Sequence, residues 1–162
     1  GLNVIKSDLD EPWKINDNTY DYVLSTEMIE HVINTDHFVL ESKRILKNNG
    51  KLILTTPNLT CWYNRILFLL GYQPFYTEVS TMDKTIGLDF TRRITENRTP
   101  VGHIRVFSHR AIKDMLEFHG FTNVKIYGLK ILYIPPMMKF IDDILSNISW
   151  LASDLLIIAE KK

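Results

Sequence analysis

Between Tyr20 and Asn58 the apolar positions switch period twice. Tyr20 to Leu24 and Lys51 to Thr55 are short β-type runs, and residues with helical spacing lie between them. That is the pattern of a strand, a crossover helix and a parallel strand. The first run ends in Ser25-Thr26-Glu27 and the second in Thr56-Pro57-Asn58. In open parallel sheets the functional crevice lies beyond the carboxyl ends of the strands. Both polar patches therefore point to one place.

The same reading extends along the chain. Leu2 to Ile5 is an apolar run that predicts a strand, and Glu11-Pro12-Trp13 reads as a turn, because the residue before proline avoids the helical region. Met28, Ile29, Val32 and Ile33 predict a helical segment, which Asn34-Thr35-Asp36 breaks and which supplies caps for the next helix. His37 to Lys47 predicts that helix, with Phe38, Val39, Ile45 and Leu46 inward and Glu41, Lys43, Arg44 and Lys47 solvated. Lys47-Asn48-Asn49-Gly50 suits its end. Residues 59–100 are irregular, and their aromatic density from Trp62 to Tyr76, directly after a polar strand end, predicts a lid. Ser108 is a good cap for a helix from His109 to His119, with Ile112, Met115, Leu116 and Phe118 inward and Gly120 ending it. Asn123 to Tyr127 predicts a strand, Met137 to Leu151 an amphipathic helix, and Asp154 to Ala159 a final buried strand.

Length and composition narrow the class. The 162 residues fit one domain, 1–162, and 45% hydrophobic with 23% charged residues is ordinary for a globular protein. Nineteen basic residues balance nineteen acidic ones, so the chain lacks the electrostatic footprint of a general nucleic-acid binder. The single Cys61 forms no internal disulfide, which suits a reducing, cytoplasmic setting. No apolar run reaches the roughly 18 residues that span a bilayer.

The candidate chemistry sits at the strand ends. On a helix, Glu27, Glu30 and His31 fall at i, i+3 and i+4 and share a face. Two carboxylates and an imidazole so placed can bind a divalent ion, or form an ordinary hydrogen-bonded cluster. Asp8 and Asp10 follow the first apolar run, where an acid accepts hydrogen bonds from a ligand amine or hydroxyl, or caps a turn.

Taken together, Asp8-Leu9, Tyr20-Asp21-Tyr22-Val23, Glu27-Met28-Ile29-Glu30-His31-Val32, Glu41 to Gly50 and Leu54 to Asn58, in this order, resemble the class I S-adenosylmethionine-dependent methyltransferases. The nearest branch looks like the small-molecule enzymes that include the ubiquinone-biosynthesis O-methyltransferases. Gly102 to Ser108, Glu117 to Phe121 and the terminal DLLIIAEKK resemble that family's later helix, turn and last strand. The resemblance implies an α/β fold: a Rossmann-like sheet with helices on both faces and an antiparallel C-terminal strand. It implies S-adenosylmethionine as cofactor, with Asp8 accepting from the adenine amino group, Leu9 beside the ring, and Ser25, Thr26 and Glu27 lining the methionine part. His31 is then the first candidate base and His103 the second. Some relatives hold a divalent ion with a Glu-x-x-Glu-His set and a distant histidine, which Glu27, Glu30, His31 and His103 match here. The family's glycine-rich loop after the first strand, and the acid that ends the second, are missing from this sequence. Leu2 to Ile5 then corresponds to the family's third strand, so the chain is expected to be the C-terminal part of a methyltransferase, truncated at the N-terminus by roughly 60 to 80 residues and inactive alone. Methyl transfer to a small-molecule or a sugar- or lipid-linked acceptor is the expected function. A non-catalytic binding or assembly module is the alternative. An open sheet edge would invite a homodimer.

Overall fold

A computed structural model describes residues 4–130 and 136–162 of the chain. Its centre is a four-stranded mixed sheet formed by β1 (Tyr20–Thr26), β2 (Leu46–Pro57), β3 (Phe121–Leu129) and β4 (Asp154–Lys161) in the order β1-β2-β4-β3. β1 and β2 are parallel, and β4 runs antiparallel to both of its neighbours. The crossover between β1 and β2 carries α1 (Thr35–Ile45), and α3 (His109–Phe118) precedes β3. The expected strand, helix and parallel strand are present, as is the antiparallel closing pair.

One core holds this together. Phe38 and Val39 of α1 and Ile112 and Leu116 of α3 pack with Leu52, Leu54, Leu155 and Ile157 of the central strands. The two helices also touch each other: Lys43 Nζ donates to the His119 carbonyl at 2.8 Å, and His119 Nε2 meets Asp36 Oδ1 at 2.7 Å. Asn34 caps α1 by accepting from the His37 N–H, and Ser108 caps α3 by accepting from the Ala111 N–H. Gly120 leaves α3 at φ +78°, a left-handed turn that favours glycine. Away from α1 and α3, Tyr22 and Leu24 of β1 and Tyr127 of β3 are exposed. Among the described residues nothing pairs with the outer edge of β1.

Several expectations change. Leu2 and Asn3 lie outside the described residues. Val4 and Ile5 are not strand and are exposed. The segment after β1 is a single 3-10 turn, Ile29–His31, and not a helix through Glu27. Glu27 takes φ +49° and Met28 φ −128°, so helical geometry cannot begin there. α1 stops at Ile45, and Leu46 to Gly50 join β2 with a register shift opposite Tyr20 and Tyr22. Glu41, expected in solvent, is buried beneath Arg44. Phe118, expected inward, is 84% exposed at the last turn of α3. The helix expected over 137–151 is shorter, α4 (Pro136–Leu145), and a set of turns leads from it to β4. Among the described residues, no helix is long and apolar enough to cross a membrane.

Candidate functional site

The carboxyl ends of β1 and β2 lie side by side, with Thr26 opposite Thr55. The Glu27 N–H closes the junction by donating to the Thr55 carbonyl at 3.1 Å. The chain then makes its 3-10 turn, which drops Ile29 into the core and places Glu30 beneath the strand ends. Glu30 is 0% exposed. Its Oε2 accepts from Thr56 Oγ1 at 3.0 Å, whereas Oε1 has no hydrogen-bond partner among the described residues and lies 4.0 Å from His31 Nε2. Burial raises the Glu30 pKa above the ordinary carboxylate value.

The third member arrives from far along the chain. The Glu30 carbonyl accepts from Ile104 N at 2.8 Å and Arg105 N at 3.1 Å, which docks the 102–105 segment on the turn. His103 thereby stacks near His31, with ring centroids 4.9 Å apart. Ligand atoms of Glu30, His31 and His103 all lie within 4.8 Å of one another. His31 Nδ1 faces the Gly102 carbonyl at 3.1 Å and His103 Nδ1 the Tyr76 carbonyl at 3.2 Å. A carbonyl only accepts, so in each neutral ring the proton sits on Nδ1 and the Nε2 lone pair is left open. Burial, first of all, lowers the pKa of His103, with His31 nearby acting in the same direction, so its neutral form is favoured.

The 59–100 segment is tied to the same spot. Both oxygens of Glu78 accept from the backbone, from Val101 N at 2.9 Å and Gly102 N at 3.0 Å. Tyr76 and Tyr63 share a hydroxyl hydrogen bond of 2.9 Å. Asn58, fully buried at the end of β2, donates to the carbonyls of Trp150 and Ala152 and accepts from Thr60 N. It fastens the start of the 59–100 segment to the approach of β4. α2 (Trp62–Leu69) follows, with Trp62 and Tyr63 buried.

Asp8 and Leu9 lie on the wall of an open hollow of about 640 Å³, formed by Lys6 to Asp10 on one side and Met28, His31 and Val32 on the other. Asp10 is a structural cap here, since its carboxylate accepts from Asn34 N at 2.6 Å. The Asp8 carboxylate accepts from Asp10 N at 3.0 Å, and Asp8 is exposed. The fold thus joins Asp8 and Leu9 to His31, and His31 to Glu30 and His103. It leaves Ser25, Thr26 and Glu27 outside both the hollow and the trio.

Residues 2–126 match the family model described as a methyltransferase domain. The chain belongs to the S-adenosylmethionine-dependent methyltransferase family. Over 108 residues it is 30% identical to a probable S-adenosylmethionine-dependent methyltransferase of Mycobacterium tuberculosis, which covers 64% of this chain and 36% of that protein. Over 41 residues it is 42% identical to the ubiquinone biosynthesis O-methyltransferase of Pelagibacter ubique, 25% of this chain and 17% of that one. Among solved structures it resembles a SAM-dependent methyltransferase of Thermotoga maritima, with a TM-score of 0.61, 18% identity, and coverage of 100% of this chain and 65% of the other. One from Archaeoglobus fulgidus gives 0.58, 20%, 99% and 68%. This methyltransferase chain therefore spans well under half the length of those curated relatives.

One acid that the sequence does not single out also lies at the crevice. Asp154 opens β4 directly opposite Pro57, and its pKa is pushed up to about 7 by burial and by the neighbouring Glu27, Glu30 and Asp142. The signal was an acid heading an apolar strand, which reads equally well as a simple strand boundary.

Proposed function

We propose that this chain forms the acceptor wall, and part of the cofactor wall, of a methyltransferase acting on a small-molecule or a sugar- or lipid-linked acceptor. The observation that carries the reading is the convergence of Glu30, His31 and His103 beside the hollow that holds Asp8 and Leu9. When bound, S-adenosylmethionine supplies an electrophilic methyl group on a sulfonium. Asp8 fits the adenine amino group as an acceptor, and Leu9 offers an apolar edge to the ring. Ser25, Thr26 and Glu27, at and just past the end of β1, face the methionine part.

His103 Nε2 is the proposed base, and His31 the second candidate. An acceptor hydroxyl or amine held there attacks the methyl carbon in line. The new bond to carbon forms as the carbon–sulfur bond breaks, sulfur keeps the electron pair, and the acceptor's proton passes to the imidazole. A depressed His103 pKa keeps the base neutral below the usual histidine range. Glu30 Oε1 steadies the imidazolium that results.

A divalent ion is the second reading of the same cluster. The orphaned, buried Glu30 Oε1 favours it, and Glu30, His31 and His103 fit as ligands, with Glu27 apart from them. Such an ion would lower the pKa of an acceptor hydroxyl. A non-catalytic methyltransferase-like module is the reading favoured by the absence of a glycine-rich strand-to-helix turn from the 162 residues. The same absence supports the proposal that the chain is inactive by itself. The outer edge of β1, with which no described residue pairs, supports self-association through that strand.

Calorimetric titration with S-adenosylhomocysteine tests the cofactor wall, using this chain and the same domain with a glycine-rich strand–turn unit ahead of it. Little or no heat from the chain alone is expected. Saturable binding by the longer form is expected, and Asp8→Ala should weaken it by about tenfold. No binding by either form would remove the enzymatic reading.

A further inference from the structure

The two imidazoles of the crevice are useful only while their Nε2 lone pairs are open, whether they serve as bases or as ligands of an ion. A histidine ring free in water prefers the opposite tautomer, with its proton on Nε2. Each Nδ1–H therefore needs an acceptor that holds it. For His31 that acceptor is the Gly102 carbonyl, and for His103 it is the Tyr76 carbonyl. Neither Gly102 nor Tyr76 lies in a helix or a strand, so the regular hydrogen-bond ladders of the fold do not fix these two carbonyls.

The stretch that carries Tyr76 is fixed from α2. Asn64, fully buried, accepts from Phe75 N at 2.8 Å and donates to the Phe75 carbonyl at 3.2 Å. Gln73 Nε2 donates to Thr77 Oγ1 at 2.7 Å. Tyr76 lies between these ties and is held at φ +74°, although it is not glycine. Glu78 follows two residues later, at the end of an arm already anchored without it.

The stretch that carries Gly102 has two anchors. On its carboxyl side, Ile104 N and Arg105 N donate to the Glu30 carbonyl. On its amino side, Val101 N and Gly102 N donate to the two oxygens of Glu78, at 2.9 and 3.0 Å. Bonds of amides to an ionised carboxylate are roughly twice as strong as neutral ones. Gly102 turns at φ +88°, and nothing lies within 4 Å of a Cβ added there, so the left-handed backbone and not space selects glycine. Its N–H thus meets Glu78 while its carbonyl meets His31. His103 sits between the two anchors.

We propose that Glu78 is a positioning residue: it clasps the 101–102 backbone so that the Gly102 and Tyr76 carbonyls keep the protons of His31 and His103 on Nδ1 and leave both Nε2 lone pairs open. Its use in methyl transfer rests on the acceptor-wall reading above, whereas the tautomers it sets are a property of this chain alone.

The test is the tautomer of each ring, read by long-range proton–nitrogen correlation of the full chain at a pH of about 8, where imidazoles are neutral. Wild type should carry the proton mainly on Nδ1 in both rings. Glu78→Ala should raise the Nε2–H fraction of both by at least about threefold. Glu78→Gln, which keeps one acceptor but turns a donor on the other amide, should raise it by less. Glu78 is half-buried and outside the core cluster, so both variants are expected to fold, and Glu78→Gln carries the test should Glu78→Ala not. Wild-type rings with the proton on Nε2, or tautomers that the substitutions leave unchanged, overturn the clasp and reduce Glu78 to a loop staple. Failure of the longer form to bind S-adenosylhomocysteine would remove the enzymatic reading and leave the tautomer result standing.

Discussion

Two glutamates, Glu30 and Glu41, are buried at opposite ends of the β1–β2 crossover, and they are treated in opposite ways. Glu41 is saturated: Oε1 accepts from Arg44 Nε at 2.7 Å, and Oε2 from Arg44 Nη2 at 2.8 Å and Trp13 N at 2.7 Å. The guanidinium fork holds its pKa down at about 2. Arg44 reaches on to the carbonyls of Trp13 and Ile15 and to Asp17, so this ion pair staples the 13–17 segment to α1. Glu30 has one hydroxyl partner, an orphan oxygen and a raised pKa. A fully satisfied buried charge holds structure together. A half-satisfied one costs stability and calls for a use elsewhere.

The sharpest way to probe the Glu30 side is to remove His103, the base proposed beside it. In a form of the protein that binds S-adenosylhomocysteine, His103→Ala should lower the methyl-transfer rate by about a hundredfold or more while leaving cofactor affinity unchanged. Single-turnover transfer of a labelled methyl group measures this, and an unaltered rate would assign the base elsewhere.

The Glu41 side should break by unfolding. Glu41→Ala leaves a partly buried guanidinium without its main partner, at a cost of about 2–3 kcal/mol, read by urea denaturation. Trp13 fluorescence should shift at once, because Trp13 loses a backbone hydrogen bond. The same pair carries an acid limb. Its folded pKa is depressed, so its contribution is present above the ordinary value of 4.5 and disappears as pH falls towards about 2. Wild type should lose roughly 2 kcal/mol across that window, and Glu41→Gln should not show that loss.

Asp154 gives a smaller effect of the opposite sign. Its folded pKa is raised to about 7, so the native state is favoured below the unfolded carboxylate range and penalised as pH climbs through 7. Asp154→Asn should therefore stabilise by about 1 kcal/mol at pH 8 and by nothing measurable at pH 4. Equal stability at pH 8 would place Asp154 in an ordinary solvated setting.

Much of this contrast was visible in the residues, and some of it could not be. Period 2 in Lys51 to Thr55 and the Ser108 and Gly120 boundaries located β2 and α3, because local hydrogen bonding decides those features. Glu27, Glu30 and His31 were found by spacing, yet the helix that spacing implied is a 3-10 turn, and Glu27 left the set when its backbone turned left-handed. His103 joins through backbone bonds from Glu30 across more than seventy residues, which no periodicity encodes. Glu41 read as solvated because its place on α1 is polar, and its burial depends on a loop folding back over it. α4 was expected to be apolar inward. Asp142 reversed it by finding an indole and a hydroxyl partner inside.

We propose that Glu30 is buried for use and Glu41 for stability. The direct test is thermal unfolding of Glu30→Gln beside Glu41→Gln at neutral pH. Glu30→Gln should melt at or slightly above wild type, and Glu41→Gln should melt lower by roughly 4–8 °C. Equal losses in both variants would contradict it and make Glu30 a structural residue.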